Sequence, residues 1–239
     1  MNSTADGSGG CAGVMFDFSG TLFRVEPATS WLGAVLDAAG IALPGAEFAR
    51  CAERLEAAGA LPGGPPPRTV PEELRELWAV RDRSAAEHRA AYTGAARQVP
   101  LPHPDLYDAL YERHMAPGAW QPYPDASEVL RELGERGVPV AVVSNIGWDL
   151  RPVFRAHGLD AAVHTYVLSY EHGVQKPDAR LFRIACDKLG LAPERVLMVG
   201  DDERADGGAA RLGCAFHAVR HLPVAERPNG LRPVLGRVG

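Results

Sequence analysis

The sequence predicts an α/β protein: a parallel sheet with helices on both faces, interrupted by an all-helical insert. Three observations predict it. The apolar run at residues 13–16 opens a strand expected over 13–18, the continuous apolar run at 138–143 suits a strand buried on both faces, and further strands are expected at 163–168, 196–199 and 215–219. Segments of helical period alternate with the last four runs, which implies right-handed crossovers between parallel strands. About a hundred residues of helical period separate the first run from the second, and a lone strand is not stable, so the first run joins the same sheet.

In order along the chain, residues 1–12 are Gly, Ser, Ala and polar residues without periodicity, expected to form a disordered leader. Residues 13–23 open the core. The insert spans 24–122. In it, Trp31, Val35 and Leu36 share one helical face, and Phe48, Cys51 and Leu55 share another. Leu74, Leu77, Trp78, Ala85, His88 and Tyr92 predict one long amphipathic helix. Leu106, Leu110 and His114, with Tyr107 and Tyr111 beside them, predict a fourth. Leu61-Pro62-Gly63-Gly64-Pro65-Pro66-Pro67 is a stretch that neither a helix nor a central strand tolerates. The core resumes over 123–221, with helices expected near 181–189 and 209–212. Residues 222–239, rich in Pro, Arg and Gly, form a C-terminal tail.

Composition excludes several classes of function. The 239 residues are 46% hydrophobic and 23% charged, as in an ordinary globular protein. A formal net charge of −5 gives no electrostatic footprint for nucleic acid or an anionic membrane. No apolar run nears the roughly 18 residues of a spanning helix, and no secretory signal opens the chain, so a cytoplasmic setting is expected. Cys11, Cys51, Cys186 and Cys214 lack zinc-type spacing and read as reduced thiols. Of 25 basic residues only Lys176 and Lys188 are lysines, which makes each one informative.

Four polar segments stand just after four of the apolar runs. Asp17-Phe18-Ser19-Gly20-Thr21 follows the first, and Ser144-Asn145 the second. Lys176-Pro177-Asp178 lies after the third, and Gly200-Asp201-Asp202-Glu203-Arg204-Ala205-Asp206 after the fourth. In such sheets ligands bind beyond the carboxyl ends of the strands. A carboxylate there can attack phosphorus and divide one hard displacement into two easier ones. A dianionic substrate then needs a hard cation held by oxygen ligands. Ser144, Lys176 and Thr21 can hold phosphoryl oxygens, Gly20 lets backbone N–H groups approach, and Asn145 shapes its loop or touches substrate.

In kind and order these segments resemble the four motifs of the haloacid dehalogenase-like hydrolases, with the insert where that family's first type of cap domain lies. The resemblance implies a Rossmann-like core, an Asp17 nucleophile, and Mg2+ held by Asp17, the Ser19 carbonyl and Asp201. Asp202 and Asp206 would stand by as outer partners or as an additional ligand. It further implies hydrolysis of a small phosphorylated metabolite, with the cap closing over the site. Trp31, Trp78, Tyr107, Tyr111, His114, Trp120 and Trp148 are either leaving-group contacts or cap packing.

The family's phosphatases carry a second Asp where this chain has Ser19, and that acid protonates the leaving oxygen. Such help is worth about 10²–10⁴-fold. Ser19 therefore predicts weakened acid–base catalysis, a base borrowed from Glu171, His172 or His114, or a degenerate member that binds a phosphorylated ligand or partner. A Schiff-base branch needs a cap lysine, and residues 24–122 contain none. Dehalogenase members lack the Gly-Asp pair that Gly200-Asp201 preserves, so dehalogenation is the weaker alternative.

Overall fold

The computed structural model describes residues 10–239. From β1 (Gly13–Phe16) the chain passes through the Asp17 loop into β2 (Phe23–Val25) and then the insert. The insert holds α1 (Ala28–Ala39), α2 (Gly45–Ala57), α3 (Arg75–Val80), α4 (Ala85–Ala96) and α5 (Leu106–Met115). β3 (Trp120–Pro122) returns the chain to α6 (Ala126–Glu135), β4 (Val140–Ser144), α7 (Arg151–Ala156) and β5 (Thr165–Leu168). Then come α8 (Ser169–His172), α9 (Ala179–Leu189), β6 (Val196–Gly200) and β7 (Ala215–Ala218).

Five strands form one parallel sheet in the order β5-β4-β1-β6-β7. The chain builds outward from β1 in one direction and then crosses back to β6. The boundary between β1 and β6 is thus the topological switch point, where open α/β sheets bind ligands. Strand alternation divides the core. Met15, Ala141, Val143 and Met198 face Leu181, Phe182 and Ala185 of α9, while Val14, Phe16 and Val142 face α6 and the insert. No described helix is long and apolar enough to cross a membrane.

Several expectations need correction. The first strand ends at Phe16, two residues short of the expected 18. The expected strand at 138–143 begins at Val140, because Pro139 has no N–H for the ladder; its carbonyl instead accepts from Val14 N at 3.0 Å. The helix expected near 209–212 is a 3-10 segment, Asp206–Leu212, in which Gly207 and Gly208 disfavour α-helix. The β2–β3 ribbon is antiparallel, pairs Arg24 with Gln121, and lies where the chain enters and leaves the insert. Its strands are only three residues long, too short to show a period.

The long helix expected through Leu74 and Tyr92 is broken. A 3-10 turn at Arg81–Arg83 separates α3 from α4, and Ser84 is extended, with φ −149° and ψ 160°. Ser84 Oγ accepts from Glu87 N at 3.1 Å and so caps α4. The break directs Arg81 and Asp82 inward.

The expected leader at 1–12 lies mostly outside the described residues. Its last residues are tied down: Cys11 N donates to Arg237 O at 3.0 Å, and Ala12 N to Arg195 O at 2.6 Å. The tail packs on the core through buried Leu231 and Val234, and Asp125 Oδ2 accepts from Leu231 N at 2.7 Å.

Candidate active site

Asp17 remains in register with the sheet, its N–H donating to Val199 O at 2.9 Å. Ser144 ends β4 and Asp201 follows β6, so these three side chains stand beyond adjacent strands at the switch point. Lys176 reaches in from the loop after α8. Its Nζ donates to Asp17 Oδ1 at 2.6 Å, Asp206 Oδ1 at 2.5 Å and Val143 O at 3.0 Å. Asn145 holds that lysine in place: its Oδ1 accepts from Lys176 N at 2.6 Å and its Nδ2 donates to Lys176 O at 3.0 Å. The Asn145 side chain is thus spent on shaping the loop, one of its two expected roles.

Both motif glycines have steric reasons. Gly20 has φ +78°, and a Cβ there would collide with Asp201 Oδ2 and His221 Nδ1. A Cβ at Gly200 would collide with the Asp206 carboxylate. The sheet end is therefore packed as closely as backbone permits, and the carboxylates crowd together.

That crowding sets the electrostatics. Burial pushes the Asp17 pKa well above the ordinary value; Lys176 opposes this, while Asp206 and Asp201 add to it. Asp206 is raised likewise, by burial against the pull of Lys176. Burial disfavours the Lys176 charge, but Asp17 and Asp206 outweigh it and hold the ammonium above its usual pKa. Asp201 goes the other way. Burial would raise it, yet the hydrogen bond with His221, Nδ1 to Oδ2 at 2.5 Å, and the pull of Lys176 bring it below its ordinary value.

Asp17, Asp201 and Asp206 each offer an oxygen within 4.8 Å of the others. Three carboxylates against one ammonium leave excess negative charge in a buried place, and the donors are all oxygen. This set fits a hard divalent cation such as Mg2+. Asp202 stands differently: its Oδ1 accepts from Arg204 N at 2.8 Å and Ala205 N at 3.0 Å, capping its own turn. Thr21 is fully buried, and its hydroxyl donates to Asp201 Oδ1 at 3.4 Å. Ser19 Oγ donates to Gly63 O at 3.3 Å, joining the Asp17 loop to the Pro/Gly stretch of the insert.

Above these groups lies a cavity of about 300 Å³. Asp17, Ser19, Ser144, Lys176 and Asp201 form its floor, and Trp78, Arg81, Asp82 and Tyr92 of the insert face them. A larger cavity, about 440 Å³, lies beside the β2–β3 ribbon and contains none of the motif residues.

Other expected residues are elsewhere. His114 is fully buried, its pKa pushed down to about 3 by burial, and Glu171 Oε1 pairs with Arg151 Nη1 at 2.9 Å. Neither these two nor His172 lines the cavity. Trp31 Nε1 donates to Leu110 O at 2.8 Å, Trp120 Nε1 to His114 O at 2.7 Å and Tyr107 Oη to Val99 O at 3.0 Å. Tyr111 Oη meets His88 Nδ1 at 2.7 Å, and the Trp148 ring packs edge-on to Phe18 and His114. Of the aromatic candidates only Trp78 lines the cavity.

Sequence reasoning missed Arg81, Asp82, His221 and Arg227. The first two had a signal, a charged run followed by Ser84-x-x-Glu87, which marks a helix start. His221 had its place three residues beyond β7, at the same sheet edge.

A family model described as haloacid dehalogenase-like hydrolase matches residues 11–213. The chain is 34% identical over 174 residues to a phosphoserine phosphatase of Thermus thermophilus, covering 67% of this chain and 66% of that one. It is 32% identical over 155 residues to (S)-2-haloacid dehalogenase 4A of Burkholderia cepacia, covering 64% and 62%. The matches thus span slightly less than two thirds of these relatives' own lengths. The magnesium-bound HAD-hydrolase YfnB of Bacillus subtilis has the same fold, with a TM-score of 0.63 and 15% identity over 89% of this chain and 92% of that one. With its four motifs brought to one sheet edge, the chain belongs to the haloacid dehalogenase-like hydrolases.

Proposed function

We propose that this chain hydrolyses a small phosphomonoester in the cytoplasm, through an aspartyl-phosphate on Asp17. The observation that carries this reading is the contact of Asp17 with Lys176 inside a ring of three carboxylates, beneath a cavity of ligand size. Asp17 attacks phosphorus as the ester P–O bond breaks. Lys176 and Ser144 hold phosphoryl oxygens and offset the charge that develops on them. Water then attacks phosphorus, the bond to Asp17 breaks, and inorganic phosphate leaves.

Asp17, Asp201 and Asp206, with the Ser19 carbonyl, would hold Mg2+. When bound, that cation supplies the charge that keeps Asp17 ionised and cancels its repulsion with the phosphate. The insert excludes water and meets the leaving group, as a cap. Phosphate release from a metabolite panel, with and without Mg2+, tests the reading, and Asp17→Asn should abolish the release.

Two other readings have specific support. The Ser19 hydroxyl, bonded to Gly63 O, supports a member that binds a phosphorylated ligand or partner without turnover. Ligand-dependent thermal stabilisation without phosphate release would favour it. Likeness to a haloacid dehalogenase supports dehalogenation, which predicts halide release insensitive to chelator.

A further inference from the structure

We propose that Asp82, on the 3-10 turn Arg81–Arg83 of the insert, supplies the proton transfer that Ser19 does not. The proposal rests on the phosphatase reading above. Asp82 lines the same 300 Å³ cavity as Asp17, Ser19 and Lys176, so a ligand small enough to fill that space touches both walls.

The turn is braced against the catalytic loops from two sides. Gln175 Nε2, next to Lys176, donates to Ala79 O at 2.9 Å and holds the end of α3. The first turn of α4 presses His88 against Gly147, where any Cβ would collide with the imidazole; Gly147 lies two residues after Asn145. Arg81 is fixed beside it, its Nη1 donating to Trp78 O at 2.7 Å and its guanidinium 4.7 Å from the Trp78 ring centre.

Asp82 is nearly enclosed, at 3% exposure, yet Arg81 and His88 beside its carboxyl stand beyond hydrogen-bond reach. Arg81 Nε is 3.6 Å from Asp82 Oδ2, and His88 Nε2 is 3.9 Å from Oδ1. Arg81 Nε, also buried, has no hydrogen-bond partner among the described residues. An acid that lines the cavity with no side-chain donor in hydrogen-bond reach suits a ligand that supplies the missing bond. Tyr92, Tyr111 behind His88, and Lys176 are the other titratable groups facing Asp82.

These surroundings shift the carboxyl toward its protonated form. Burial raises the Asp82 pKa and outweighs the opposing charges of Arg81 and Lys176. His88 is held well below its ordinary value by burial, with His114 and Arg81 adding to the effect, so it stays neutral. The other carboxylates on the cavity wall are committed: Asp201 to His221, Asp206 to Lys176, and Asp202 to its own turn.

In the first step Asp17 attacks phosphorus, the ester P–O bond breaks, and the departing oxygen takes the Asp82 proton and leaves as the alcohol. The Asp82 carboxylate then takes a proton from water, whose oxygen attacks phosphorus. The Asp17–phosphorus bond breaks, phosphate leaves, and Asp82 is protonated again. Asp82 thus acts as acid and then as base.

Two aryl esters, phenyl phosphate and p-nitrophenyl phosphate, test this on native enzyme, Asp82→Asn and Asp82→Glu with Mg2+. The first leaving group needs a proton and the second does not. Asp82→Asn is expected to lose about 10²–10⁴-fold on phenyl phosphate. On p-nitrophenyl phosphate it should release a burst of nitrophenolate stoichiometric with enzyme and then stall, while Asp82→Glu restores turnover of both. Native rates in Asp82→Asn, or an equal loss on both esters without a burst, would overturn the role of Asp82 alone. No phosphate release from either ester by native enzyme would remove the phosphatase reading, and this proposal with it.

Discussion

Arg227 of the C-terminal segment donates from Nη1 to the carbonyl of Gly20 at 2.6 Å, and from Nη2 to the carbonyl of Thr21. Its guanidinium lies 3.2 Å from the centre of the Tyr123 ring, and Tyr123 Oη donates to Leu222 O at 2.6 Å. A residue more than two hundred positions away thus fixes the loop that carries Asp17. Charge-assisted bonds to buried carbonyls resist replacement, because a truncated partner leaves those carbonyls unpaired.

Arg227→Ala is therefore expected to destabilise the fold by about 2–3 kcal/mol, summing a charged hydrogen bond and the orphaned carbonyls. Phosphate turnover should fall by up to about 10²-fold through loss of alignment at Asp17. Thermal melting and steady-state kinetics check this, and Arg227→Lys should recover only part of either quantity, since lysine lacks the planar fork.

Metal affinity should depend on pH in a defined direction. Asp17 and Asp206 are raised above the ordinary 3.8, so in the metal-free fold they still carry protons where an exposed carboxylate has lost them. A cation must displace those protons, and its affinity tightens as pH rises through the raised values, then levels off. Asp201 is lowered and adds no slope in that window. The same two raised groups make the metal-free fold lose stability as pH climbs above 3.8, because the unfolded chain releases its protons first. Calorimetric titration with Mg2+ and melting curves across pH check both directions.

Ser19→Ala should leave turnover within about tenfold of native, well short of the 10²–10⁴-fold cost of removing an acid–base group. The hydroxyl anchors the Pro/Gly stretch by its bond to Gly63 O, so its loss loosens the cavity mouth and raises KM more than it lowers kcat. Ser19→Asp turns a donor into a carboxylate facing that carbonyl, and the closed loop should be less stable. A kcat and KM split for both variants checks this.

The parallel sheet and its strand-end residues were legible because four of its five strands are short apolar runs followed by a polar motif. The scarcity of lysine singled out Lys176, which the fold brings to Asp17. The break at Arg81–Ser84 was hidden because α3 and α4 continue the same apolar stripe across it, so periodicity alone reads one helix. Arg227 and His221 were hidden for another reason. Their roles come from the tail folding back over the sheet edge, a long-range contact with no local pattern. The β2–β3 ribbon escaped notice because three residues cannot display alternation.

The central claim is that Asp17 becomes the phosphoenzyme. Brief incubation of native protein with Mg2+ and a radiolabelled phosphomonoester that it turns over, followed by acid quench, should trap label on the peptide containing Asp17, while Asp17→Asn traps none and releases no phosphate. Phosphate release by Asp17→Asn at the native rate, with no label on that peptide in either protein, would contradict it.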